Sequence, residues 1–178
     1  SSSYSIKKLE PAGFAFLNKE LFQKLQSNGI DNLKEANSIS DVVKDSLYWY
    51  GLGLDAFYPS AKLLNFATVL ESTLKKKDEK TEVQNKISER GAIFLYSEFN
   101  TRKKAKKELQ DIYGSRSSVV HTGKLIDDEY LALNCGGYAR AVLIKLIKNS
   151  KEFEGNFNKF IDYLDDVKLG CETKTLQK

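Results

Sequence analysis

The chain has 178 residues, 41% of them hydrophobic, enough for one domain with a real core. Its 28 basic and 24 acidic side chains leave a net charge of +4, which permits a polyanionic partner without demanding one. Two cysteines without CxxC spacing and a single histidine are too few for a structural zinc site, and no apolar run reaches the length of a membrane span. We therefore expect no metal, no cofactor, no membrane partner and a cytoplasmic setting. The sequence begins without methionine, so an upstream segment or fused domain is expected.

Helical periodicity dominates and strand signals are weak, which predicts an all-α fold. Residues 1–39 read as an N-terminal extension, with Phe14, Leu17, Leu21 and Leu25 on one stripe of a short helix stopped by Gly29. A helical domain follows over 40–168. Its first helix carries Val43, Leu47, Tyr50, Leu54 and Phe57 and ends at Pro59, with Gly51 and Gly53 weakening it locally. The next starts at Pro59 and Ser60, carries Leu63, Ala67, Leu70 and Leu74, and ends at the basic run Lys75 to Lys77. A third runs from about Glu82 to Ser97.

The fourth helix is expected from near Thr101 to Gly114, burying Ala105, Leu109 and Ile112 and exposing a concentrated basic face. The fifth opens after "IDDE", whose acids suit a helix N-terminus, and reaches about Asn149. Phe153, Phe157, Phe160, Ile161 and Leu164 mark one more short helix before a polar tail at 169–178.

Chemistry concentrates in "DIYGSRSSVVHTGK", residues 111–124. Arg116 supplies a permanent cation whose donor fork matches phosphate, and His121 belongs to the residue type that takes and returns protons near neutral pH. Those two abilities suffice for RNA cleavage without metal, in which a ribose 2′-OH attacks the adjacent phosphate. Five positions along an ideal helix amount to roughly 140° beyond a full turn, so the pair cannot share one face of a regular helix. Either Gly114 ends the helix early and leaves both on an irregular turn, or two copies meet across a two-fold axis and share a composite cleft.

Three other features bear on the site. Glu71 and Arg90 lie at the edges of apolar stripes; they either form an interhelical ion pair that locks the bundle, or Glu71 orients Arg116 or His121. In "RKKAKK", residues 102–107, Arg102, Lys103, Lys106 and Lys107 are candidates for an RNA-backbone track, against the alternative of a merely solvated face. Tyr113 and Trp49 read as core or dimer-surface aromatics rather than base platforms.

Three segments, "LLNFATVLESTL" (63–74), "ISERGAIFL" (87–95) and "DIYGSRSSVVHTG" (111–123), resemble the ApeA-like branch of the HEPN superfamily. They match its acid-bearing helix, its arginine-bearing helix and its tyrosine, arginine-serine and histidine motif, over roughly residues 41–149. The resemblance implies a HEPN-like helical bundle, often homodimeric, and in many members a metal-independent endoribonuclease of toxin, antiphage-defence or RNA-processing systems. It implies Arg116 and His121 as the catalytic pair, with Glu71, Arg90 and Ser117 in support. Many active members carry Asn, Asp or His where this chain has Ser117, and the toxin-branch tyrosine two positions after the histidine is replaced by Gly123. A non-catalytic HEPN module that binds nucleic acid or nucleotide, or mediates dimerisation of a larger protein, is the alternative. A purely structural helical partner of a toxin is a third.

Overall fold

The computed structural model describes residues 38–170. Among them are six α-helices, α1 (Ile39–Asp55), α2 (Pro59–Leu74), α3 (Val83–Leu95), α4 (Phe99–Thr122), α5 (Glu129–Asn149) and α6 (Phe157–Lys168), with a 3-10 turn at Ser150–Phe153 before α6. The protein is an all-α bundle. The expected helix around Phe14 to Leu25 and most of the polar tail lie outside the described residues.

Local chemistry fixes the helix starts. The Ser38 hydroxyl accepts from the Asp41 amide at 3.2 Å, Asp128 accepts from the Leu131 amide, and Asn156 accepts from the Lys159 amide. At α4 the Glu98 carboxylate takes the Asn100 and Thr101 amides at 2.8 and 2.7 Å. α2 instead starts on Pro59, whose fixed φ suits the first turn.

The core centres on α2, packed between α1 and α5, with α3 and α4 pairing beside it. Phe66 of α2 is wedged between two glycines of neighbouring helices: a Cβ added at Gly53 of α1 would lie 2.4 Å from its ring, and one at Gly136 of α5 2.8 Å. Both glycines, which lower helix propensity, are thus the seats of one aromatic ring. The aromatics of the last segment close the bundle, with Phe94, Phe153 and Phe157 all ringed around Phe160.

One expectation fails in an informative way. α4 does not stop at Gly114; it continues to Thr122 and ends at Gly123, which takes the left-handed conformation at φ 67° and returns its amide to Val119. A single helical glycine costs about 1 kcal/mol. Burial of Ile112 and Tyr113 just before it, and of Val119 after it, outweighs that cost.

The loop after α4 is tied to the start of α2. The Ser60 hydroxyl donates to the Ile126 carbonyl at 3.0 Å and accepts the Ile126 amide at 2.7 Å, and Lys62 pairs with Glu129. The C-terminal end of α4, the α1–α2 turn and the start of α5 therefore sit at one end of the bundle.

Candidate functional site

Because α4 is unbroken, Arg116 and His121 lie on one regular helix, roughly 140° apart around its axis. No bend brings them together. His121 is exposed in the last turn, whereas Arg116 leans inward and donates from Nη2 to Glu71 Oε1 at 2.8 Å. The Arg116 and Glu71 side chains are about one quarter exposed, 25% and 22%. The Arg116 guanidinium also stands 5.8 Å from the centroid of the Tyr113 ring.

The expected Glu71–Arg90 pair is corrected by this geometry: each residue has other partners. Arg90 is buried on α3, where it donates to both carboxylate oxygens of Glu79, both of Asp165, and the Leu74 carbonyl that ends α2. It knots α2, α3, α6 and the 75–82 loop together. Burial alone would raise the Glu79 carboxyl, but hydrogen bonds from Arg90, the Lys76 amide and Lys86 outweigh it and hold it at about 2. Arg90 therefore has a structural position, with all its directed bonds inside the bundle.

The basic run divides by helix phase. Arg102 donates from Nε to the Tyr96 carbonyl at 2.7 Å, and Lys106 pairs with Glu89 at 2.6 Å, so both lean onto α3. Lys103, Lys104 and Lys107 face solvent. Lys104, outside the expected set, is equally free of a close partner: its contact with Glu108 is long, 3.9 Å, and 80% of its side chain is exposed.

Lys103 and His121 are separated by eighteen positions, about five full turns, so they point the same way from α4. Lys107 falls within about 40° of that line. The exposed face of α4 thus runs from two lysines past Gly114, which has no side chain to obstruct it, to the histidine. Ser117, one turn before His121, is half-buried and also falls within about 40° of that line, on the side opposite Lys107.

The elements at the His121 end of the bundle carry several exposed apolar side chains. Val120 of α4, Phe57 and Tyr58 of the α1–α2 turn, Leu125 of the following loop, and Tyr130 and Leu133 of α5 are all exposed, Phe57 by 85% and Tyr130 by 80%.

The side of Glu71 turned away from Arg116 has a different character. It walls a cavity of about 400 Å³ between α1, α2 and the start of α6, where Asp41 and Asp45 face Lys75 and Lys77. Among the described residues no cluster of His, Cys, Asp and Glu is arranged to hold a metal, and no helix is long and apolar enough to cross a membrane. Comparison with known protein families, with characterised proteins and with solved structures returned no match.

Proposed function

We propose that the chain is a metal-independent endoribonuclease of the HEPN type, active as a homodimer in which Arg116 of one protomer and His121 of its partner share a cleft. The observation that carries this reading is the row on α4, where Lys103 and Lys107 lead along one exposed face to the single histidine. A basic row tracks a sugar-phosphate backbone, and its terminus is where a proton-transfer group is useful.

In the proposed reaction the 2′-oxygen bonds to phosphorus as the bond to the 5′-oxygen breaks. His121 takes the 2′-OH proton and returns a proton to the departing 5′-oxygen, while Arg116 binds the non-bridging oxygens as charge builds on them. The products are a 2′,3′-cyclic phosphate and a 5′-hydroxyl. The separation of Arg116 and His121 around α4 supports a shared site, and the exposed apolar side chains at the His121 end supply a face for a second copy. Cytoplasmic antiphage defence or a toxin-like system is the setting this activity suits.

Mixing Arg116→Ala and His121→Ala protomers tests the shared site. Each variant alone is expected to be inactive, and mixed dimers to regain one intact cleft and with it a substantial fraction of wild-type cleavage. Failure of the mixture to exceed either parent would overturn the composite arrangement.

A second reading rests on the Glu71–Arg116 pair, which neutralises the arginine in the isolated chain. On that reading the protein is a non-catalytic HEPN module that binds nucleic acid. It predicts oligonucleotide binding without cleavage across varied RNAs.

A further inference from the structure

Tyr113 is 4% exposed, and its hydroxyl is buried without a hydrogen bond of normal geometry. A buried, unsatisfied hydroxyl is costly and uncommon, and phenylalanine would fill the same space without that cost. The hydroxyl nevertheless lies under the influence of the charged pair. Burial lifts the phenol above its ordinary value, the Glu71 carboxylate lifts it further by its charge and by a contact with the hydroxyl that falls outside normal hydrogen-bond geometry, and Arg116 opposes them. The same arginine stands beside the Tyr113 ring and is bonded to Glu71.

We infer that Tyr113 is a positioning residue for phosphate capture: when a backbone phosphate draws Arg116 away from Glu71, the Tyr113 hydroxyl donates to the carboxylate left behind. This deepens the nuclease reading and rests on Arg116 being the phosphate ligand. Without a replacement donor, the half-buried Glu71 carboxylate would be stranded and would hold Arg116 back. A hydroxyl beside Glu71 that lacks a well-formed bond at rest offsets that loss when it closes onto the carboxylate, because a charge-assisted hydrogen bond is among the stronger ones available. The hand-off exchanges one ion pair for an arginine–phosphate contact and a phenol–carboxylate bond, with no net loss of paired groups.

The test uses an uncleavable 2′-O-methyl oligoribonucleotide, so binding is read whether or not the protein cuts RNA. Tyr113→Phe is expected to keep or raise the melting temperature, since it removes a hydroxyl that lacks a well-formed bond. It should weaken oligonucleotide binding about threefold to tenfold, the ordinary worth of one hydrogen bond. In a Glu71→Gln background, where no carboxylate retains Arg116, the same substitution should have no effect on binding. Unchanged affinity in Tyr113→Phe, a loss that persists in the Glu71→Gln background, or no binding by the wild type would each overturn the hand-off. Cleavage of unmodified RNA combined with unchanged affinity in Tyr113→Phe would overturn it while leaving the nuclease reading intact.

Discussion

Arg116 of α4 is bonded to Glu71 of α2 at 2.8 Å, which fixes the direction of the guanidinium from a helix that α4 does not lead into directly. Pairs this exposed contribute little stability, of the order of 1 kcal/mol or less. Glu71→Gln is accordingly expected to leave the melting temperature within a few degrees of wild type. Turnover should fall at least about tenfold without a rise in KM, because a freed but unoriented arginine still binds phosphate. A parallel loss of stability and turnover would show that the pair merely holds the helices.

Arg90 should behave in the opposite manner. Arg90→Ala strands Glu79 and the end of α2 in a partly buried site, and is expected to cost about 3 kcal/mol in chemical denaturation. Any loss of cleavage should be regained where the variant is kept folded, for instance at lower temperature. A stable but inactive Arg90→Ala protein would place this residue in the functional machinery.

The same network sets an acid limit. Glu79 is held at about 2 in the folded chain against an ordinary 4.5, so its contribution is complete above about pH 4.5 and drains away as the pH falls toward 2. The penalty of Glu79→Gln, measured by thermal unfolding, should therefore be largest near neutrality and shrink steadily below pH 4.5. A penalty independent of pH would contradict the network.

The seats of Phe66 give a three-way comparison. Alanine at Gly53 or Gly136 must displace a core ring, and is expected to destabilise by about 1 to 3 kcal/mol despite the gain in helix propensity. Gly137 has no heavy atom within 4 Å of an added Cβ. Gly137→Ala should stabilise by roughly 0.5 to 1 kcal/mol. Equal effects at all three positions in urea titrations would refute the wedge.

Much of this architecture was legible in the order of residues, since apolar spacing located all six described helices and the phenylalanines of the last one. Gly114 misled because propensity is a local quantity, whereas the burial of Tyr113 and Val119 that carries α4 onward depends on α2, α3 and α5 being in place. Glu71 and Arg90 were recognisable as charges on apolar edges. Arg116 was already one of the two candidate partners of Glu71, but those of Arg90 were hidden, because Glu79 and Asp165 reach it from a loop and from the final helix. Helix phase did separate Lys103, Lys104 and Lys107 from Arg102 and Lys106 in principle. Counting positions around α4 from its buried residues Ala105 and Leu109 would have found Lys104. Tyr113 carried no signal beyond that of a core aromatic, and its poorly bonded hydroxyl emerges only from the packed structure.

The central claim is that His121 moves the proton in a metal-free cleavage of RNA, and incubation of unmodified RNA in EDTA with wild type and His121→Ala tests it most directly. Wild type is expected to cleave and to leave fragments ending in 2′,3′-cyclic or 3′-phosphate, and removal of the imidazole to lower the rate by at least about a hundredfold. Cleavage that disappears with chelator, or that survives in His121→Ala, would contradict it.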